Sequence, residues 1–529
     1  MSQLEYLRDE HIKGRISRRE FTGRAAALGA TAATITSLVG TVEAYAQETP
    51  KKGGSMKVGI AGGSTTDSIN PTTYTDSAMV FTSFAIFSSL VENGPDNKSI
   101  PELATGWEPK PGAAEWVLNL RKGVQFSNGK EFDADDAIYS LNLHRGESKS
   151  GNAASMKSVK EIKKLDKYQI AIILDSGDAD FPYILSDYHM HMVPNEYKDW
   201  ATGVGTGAFI IEKFEPGVRS LLKRNKNYWK AGRGHLDEVE MLVINDENAR
   251  VNALISGQVQ SIDRATPKLI GLLKKAPGIS VVQAPGGWHS VMSMRLDTPP
   301  FDKLEVRQAM KHAMNRQQIL DTLFSGFGSL GNDHPIPKGD PFFHTQLPQT
   351  PYDPDKAKAL FKKAGVTDYK IELSASEAAF NGAVDQGVLV QASAAKAGIK
   401  VDVKKVPADG FWSNVWLKAP FCESYWAGRP AATQMLAVAY KSDAPWNECA
   451  YKSAKFDGLL SSARSELDEA KRKTYIWDMQ ELLHTEGGNM VPAFRDWLDA
   501  HSSKVGGHTP HNGFDMDNGR FAEKAWLKA

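Results

Sequence analysis

Two short stretches, "FWSNVW" (411–416) and "SYWAGRP" (424–430), gather the side chains best able to act on a small molecule. They supply Phe411, Trp412, Trp416, Tyr425 and Trp426, with Arg429 three residues after the last. Aromatic walls with a few orienting polar groups are what ligand pockets are built from, although each ring taken singly also suits an ordinary core. A guanidinium presents a rigid fork of donors that matches carboxylate, phosphate or another planar anion, and it stays charged at working pH. Elsewhere "YHMHM" sets His189 and His191 at i, i+2, on one face if the segment is a strand, but two histidines alone make a poor metal site.

Signatures of catalysis are missing from the chain. "GVGTG" (203–207) is not followed by Lys-Ser/Thr and does not sit in a strand-G-x-G-x-x-G-helix context. There is no G-x-S-x-G elbow, H-E-x-x-H helix or iron–sulfur cysteine spacing. The two cysteines, Cys422 and Cys449, form no C-x-x-C, which argues against redox catalysis and structural zinc. They either stay free or bridge a loop of about 27 residues, for ~3 kcal/mol on the loop-entropy estimate. The expectation is a protein that binds and does not catalyse, with no catalytic residue, no metal and no cofactor.

The elements that must position these residues are readable from periodicity. Trp116, Leu118 and Leu120 alternate on one strand face, Tyr168, Ile170, Ile172 and Leu174 on a second, and Val239, Met241 and Val243 on a third. Asp133, with Asp136 three residues on, reads as the N-cap of a helix carrying Ala137, Ile138 and Leu141 on its inner side. Two tandem helices follow about residue 304, the second capped by Asn315 and stopped at Gly326. A Pro-rich loop (333–354) leads to the short helix "DKAKALFKKAG". "YKIELSAS" and "IKVDVKKV" then flank a helix at about 381–397, a β-α-β unit. A helical pair at about 453–485 runs into the apolar strand "NMVPAF".

Charge is balanced, 63 basic against 63 acidic residues in 529, with 41% hydrophobic and 24% charged residues. No basic stripe recruits nucleic acid. A chain this long exceeds the roughly 250–300 residues at which one core stops growing, so two or more lobes are expected. At the N-terminus, "ISRREFTGRAAALGA" (16–30) is too poor in bulky apolar residues for a spanning helix. It has a basic n-region, a mild apolar run and a small-residue site at Ala44-Tyr45-Ala46. Ser17-Arg18-Arg19-Glu20-Phe21 resembles the twin-arginine export motif, so residues 1–46 are expected to be a signal peptide read by the twin-arginine machinery and cleaved near Ala46. The short polar tether "QETPKKGGS" (47–55) follows.

Taken in order, four blocks resemble the dipeptide-, oligopeptide- and nickel-binding proteins of ABC importers. They are "PELATGWEPKPGAAEWVLNLRKGVQFSNGKEFDADDAIYSLN", "GVGTGAFIIEKFEPGVRSLLKRNKNYWK", "PPFDKLEVRQAMKHAMNR" and "KFDGLLSSARSELDEAKRKTYIWDMQELLHTEGGNMVPAF". The resemblance implies an α/β, bilobal clamp of the type II periplasmic-binding-protein kind, with an enlarged N-terminal lobe and mixed β-sheets. Carried onto this chain, lobe I is 47–286, lobe II is 287–490, and 491–529 returns to lobe I. The crossings fall at "GGWHSVMSMRLD" and "GGNMVPAFRD", whose glycines could absorb hinge rotation. Partners implied are a small-molecule or short-peptide ligand and an inner-membrane ABC permease, with the protein a periplasmic monomer.

In the resembled peptide binders, an acidic residue three positions after a Trp pairs with the peptide ammonium. Here that position is Arg429, so the charge is reversed and an anion-bearing ligand is expected, with Trp412, Tyr425 and Trp426 packing on the rest. A structural salt bridge is the competing role for Arg429. The resemblance also carries Thr65, Asp67 and Tyr74 of "GGSTTDSINPTTYTD" (62–76) towards the cleft, and Trp288 to the crossing, as further ligand-binding candidates. Two other functions fit the chain less well: a peptide-sampling chaperone or sensor-interaction protein of the same fold, and an exported redox enzyme.

Overall fold

Two seven-stranded mixed sheets organise the chain, which a computed structural model describes over residues 50–528. The export segment 1–46 lies outside the described residues. The first sheet runs in the spatial order Ile279–Ala284, Trp497–Ser502, Ser261–Ile262, Ser55–Ile60, Glu238–Val243, Arg219–Arg224, Phe209–Glu215. Ser55–Ile60 lies parallel to both its neighbours, while the outer pairings are antiparallel. The second sheet orders Gly328–Leu330, Ala493–Arg495, His289–Met294, Phe421–Trp426, Lys370–Ala375 and Lys400–Lys405, with Asn489–Met490 also on His289–Met294. A separate four-stranded antiparallel sheet, Ala104–Pro109, Glu115–Leu120, Gln169–Leu174 and Val159–Asp166, enlarges the N-terminal half.

Local signals became local structure. Trp116, Leu118 and Leu120 are buried on one face of the four-stranded sheet, as are Ile170, Ile172 and Leu174, because every second side chain of a strand shares a face. Helix Ala134–Asn142 begins in a reciprocal capping box between Asp133 and Asp136. Asn315 caps Arg316–Phe324 through the Gln318 N–H at 3.1 Å. The β-α-β unit forms with Lys370–Ala375 and Lys400–Lys405 parallel and helix Ala383–Ala395 crossing between them.

Two expectations need correction. "NMVPAF" is not one strand but two, Asn489–Met490 and Ala493–Arg495, because Pro492 has no N–H to donate to a ladder. Its carbonyl instead accepts from Gly331 N at 2.9 Å. The return to the first sheet then begins at Trp497, since Ala493–Arg495 still pairs within the second. Between the sheets the chain therefore passes at 285–288 and again at Asp496. The glycines near these passes serve close approach: a Cβ on Gly286 would lie 2.2 Å from the Arg495 carbonyl oxygen, and one on Gly488 would lie 2.2 Å from that of Met294. The same reason explains "GVGTG", where Gly205 and Gly207 back onto Ile86 at the end of helix Ser77–Ile86.

The C-terminal segment is fastened to the first half by charge. Arg520, fully buried, donates to Glu102 at 2.7 and 2.9 Å and to Glu523 at 3.2 Å. Lys230 and Arg233 complete the network on Glu92, Glu102 and Glu523. Across the halves, Asp178 and Asp180 receive Arg464 and Arg472, and Thr433 donates to Asp180.

Candidate functional site

Strand Phe421–Trp426 sits inside the second sheet, and its alternation decides what each side chain meets. Phe421, Glu423 and Tyr425 share one face; Cys422, Ser424 and Trp426 share the other. Glu423 accepts from Gln386 Nε2 at 2.6 Å, and burial pushes its carboxyl well up. At the strand's exit the two faces present Tyr425 outward and Trp426 inward, and the chain turns through Ala427 and Gly428 to Arg429.

The aromatic candidates come together as a continuous arc. Trp288 stacks on Tyr425 at 5.8 Å and 21°. Tyr425 meets Trp412 edge-on at 6.0 Å, and Trp412 meets Trp416 at 5.4 Å. The arc continues through Trp446, 6.3 Å from Trp416 and 5.9 Å from Trp426. Three of the six rings are turned to solvent: Trp412 at 41%, Tyr425 at 38% and Trp446 at 44% exposure, far more than core rings show. Behind the arc, buried Glu448 accepts from Trp416 Nε1 at 2.6 Å and Ser424 Oγ at 2.8 Å, which fixes the Trp416 ring. Burial raises its carboxyl to about 6 against the pull of the Trp416, Ser424 and Trp426 donors.

Arg429 lies over Trp426 at 5.8 Å, a cation–π placement. Its side chain donates to the carbonyls of Ala427 (3.2 Å) and Gly428 (3.3 Å), and it makes no ion pair with a described residue. Desolvation lowers its pKa, and the charges it feels from the first half are Asp187 and Tyr188. Asp187 acts on it at a distance while one of its oxygens meets His189 Nδ1 at 2.7 Å. The structural salt bridge considered for Arg429 is absent among the described residues.

The first-half candidates divide. Tyr74 is 2% exposed in the core beneath the first sheet, and its hydroxyl donates to Ile69 O at 2.6 Å, so it packs and does not face ligand. A tyrosine followed by Thr and Asp carries no local sign of which way its ring turns. Asp67 holds its own loop through Ser64 N at 2.9 Å and stands beside Asp76, whose carboxyl rises to about 6 through burial and that neighbour. Asp76 in turn acts on Tyr188, whose hydroxyl burial and Asp187 push up and Arg429 pulls down. Thr65 is exposed, its backbone packed against Gly217. His189 and His191 are tied to Asp187, Ser83, Ser89 and the Tyr74 carbonyl. Cys422 and Cys449 are buried free thiols.

Sequence reading missed Trp446, Glu448 and Arg495. The first two follow a Pro in a polar stretch with no periodicity. Arg495 follows an apolar strand, and nothing local shows that its guanidinium lies 4.8 Å over the Trp288 ring. A cavity of about 270 Å3 also opens elsewhere, lined by Trp107, Trp116, Tyr183, Phe342 and Arg472. Arg472 is matched there by Asp180, and Lys98 also lines the cavity.

Comparison with known proteins agrees with this architecture. The chain is 26% identical over 448 residues to the di/tripeptide-binding protein 3 of Pseudomonas aeruginosa, covering 76% of this chain and 82% of that protein. The Helicobacter pylori periplasmic binding protein DppA, solved with peptide STSA, superposes with a TM-score of 0.73 at 23% identity, over 90% of this chain and 99% of that one. The binding protein AgaA from A. tumefaciens R10, solved with agropinic acid, superposes with a TM-score of 0.71 at 25% identity over the same shares. The fold is thus the bilobal type II periplasmic-binding-protein clamp. Residues 98–448 match the model of the bacterial extracellular solute-binding proteins, family 5, and the chain belongs to that family.

Proposed function

We propose that this protein is the periplasmic substrate-binding component of an ABC importer, and that its ligand is a small polar or peptide-like solute bearing an anionic group. The observation that carries the reading is Arg429, a desolvated guanidinium over Trp426 without a carboxylate partner. A partly desolvated guanidinium of this kind, bonded only to two carbonyls, gains when an anion completes its donors. The relatives support the breadth of the class: one is named for di- and tripeptides, and one was solved with agropinic acid. Those relatives are binding proteins, so no catalytic step is assigned here.

The mechanism is a clamp. Lobe I (47–286 with the C-terminal return) and lobe II (287–490, extended through Arg495) close over the solute, and closure excludes water so that each polar contact strengthens. Tyr425 and Trp412 line the ligand's body and Arg429 holds its anion; Trp288 stacks behind Tyr425, while Trp426, buried in the core of the second half against the expectation that it lines ligand, backs Arg429. The closed form then docks on an inner-membrane permease. Residues 1–46 direct the chain out by the twin-arginine route, and the mature protein works as a monomer.

A thermal-shift screen across dipeptides, opine-like amino acid conjugates, sugar acids and nickel chelates identifies the class by one saturable shift. With that ligand, Arg429→Ala or Arg429→Glu should weaken binding at least tenfold by calorimetry, ~1.4 kcal/mol. Unchanged affinity removes Arg429 from the site.

A further inference from the structure

Local chemistry and tertiary placement part company at Asp180. It stands at the N-cap position of helix Phe181–Ile184, where an aspartate ordinarily accepts from the first turn, yet its side chain makes no capping bond. The buried carboxylate reaches across to the second half, where one oxygen meets both the Arg472 guanidinium and the Thr433 hydroxyl. Asp178, also buried, does the same: one oxygen accepts from Arg464 at 2.7 Å and the other from Asp180 N at 3.0 Å. Between them the Ala179 N–H donates to the Arg464 carbonyl at 2.7 Å. A further tie comes from Asn97, whose backbone sits in the left-handed region at φ 57° and whose side-chain amide donates to the Pro430 carbonyl at 3.1 Å.

These ties converge on one segment. Pro430 follows Arg429 directly, and Thr433 lies in the first turn of helix Ala432–Tyr440, so the run that carries Arg429 is held from the first half as well as by its own sheet. Every contact is between groups of the chain itself, and none waits for a solute. The joint is also built to part. Desolvation offsets most of the attraction within a buried ion pair, and separating the halves returns both partners to water. Burial raises the Asp178 carboxyl even beside Arg464. Nor is the interface packed shut: the cavity of about 270 Å3 lies within it, walled by Lys98, Trp107 and Tyr183 from the first half and by Phe342, Glu466 and Arg472 from the second. A gap of that size forfeits the dispersion contacts that would make the joint permanent. We propose that Asp178, Asp180 and Asn97 form a latch that draws the halves together without a ligand, and that Asp180, through Thr433, is a positioning residue that sets the Arg429 segment before a solute arrives. The consequence for binding rests on Arg429 as the anchor; the latch itself does not.

The test begins on the unliganded mature protein. Its small-angle X-ray scattering should match the arrangement of the two halves in the structure, and the double variant Asp178→Asn, Asp180→Asn should show a larger radius of gyration. The melting temperature of that variant should stay close to the parent's, because opening hydrates the arginines left unpaired; ion pairs with a purely structural role would lower it and leave the radius unchanged. Thr433→Val keeps the side-chain shape and removes the hydroxyl, so amide hydrogen exchange over residues 427–433 should speed up about tenfold while strand Phe421–Trp426 keeps its protection. Thr433→Ser should restore the parent rate. Titrated with dipeptides and opine-like amino acid conjugates, Thr433→Val should bind about tenfold more weakly than the parent and Thr433→Ser like it. A parent already open in scattering, or a double variant as compact as the parent, overturns the latch. Unchanged exchange over 427–433 in Thr433→Val overturns the positioning role of Asp180. Failure of every one of those compounds to bind the parent overturns the solute reading, and the latch is then decided by scattering and exchange alone.

Discussion

Arg520 and Arg429 are both withdrawn from bulk water, yet the protein treats them oppositely. Around Arg520 three cations meet three carboxylates, Glu92, Glu102 and Glu523, so nearly every donor is matched inside the fold. Around Arg429 and Arg495 the neighbours are rings and backbone carbonyls, and neither guanidinium makes an ion pair with a described residue, although Asp187 acts on the first and Asp515 and Glu247 on the second. A matched buried charge holds two segments together; an unmatched one keeps its binding capacity for something that arrives later.

The comparison breaks if the two arginines respond alike. Arg520→Ala should cost about 3–5 kcal/mol by urea denaturation, because Glu102 loses both hydrogen bonds from Arg520 and three buried carboxylates are left with only Lys230 and Arg233. A loss below ~1 kcal/mol would show that the network is not a fastener. Arg429→Ala should leave the unliganded denaturation midpoint at or above that of the parent, with its whole effect appearing in binding.

Acidity separates the regions next. Burial raises Asp263, Asp499 and Asp340 from the ordinary 3.8 to about 7. Between about pH 4 and 7 the folded chain thus holds protons that the unfolded chain has released, and stability falls as pH rises through that window. Glu92 and Glu523 work in the other direction. Burial pushes their carboxyls up, but Arg520, Lys230 and Arg233 outweigh it and hold them well below the ordinary range. Their contribution is present above the ordinary carboxylate value and is lost as pH falls below it. The melting temperature should therefore peak on the acid side of neutrality, near pH 5, and fall steeply towards pH 3. A maximum at pH 8 would contradict the burial of those aspartates.

The smallest effect sharpens the arc itself. Trp416→Phe keeps a ring but removes the donor to Glu448 Oε1, so stability should drop by about 1–3 kcal/mol. Ligand affinity should fall only a few-fold, since Trp416 orients the arc and is not one of its three exposed rings. A larger loss of affinity than Arg429→Ala causes would make the indole, not the guanidinium, the main anchor.

How much of this was readable before coordinates depends on the range over which each feature is decided. The Asp133–Asp136 box, the alternation of Trp116, Leu118 and Leu120, and the β-α-β unit are settled by residues a few positions apart, and all formed as read. "NMVPAF" failed as a single strand although Pro492 stood in plain view, because the apolar run outweighed the missing donor in the reading. Tyr74 was carried to the cleft with its loop, while its ring turned into the core. Trp412, Tyr425, Trp426 and Arg429 were singled out because composition crowds them together, but only the structure showed that Tyr425 and Trp412 face solvent while Trp426 is buried.

By itself the chain determined the family, the alternation of strands and helices, and the presence of an arginine beside a cluster of aromatic residues. Only tertiary structure decided which arginines are spoken for. Arg520 meets Glu102 across 418 positions, whereas Arg495 lies over Trp288 and makes no ion pair with a described residue. Whether a buried charge is paired depends on partners brought from far along the chain, and no local pattern of residues encodes that meeting.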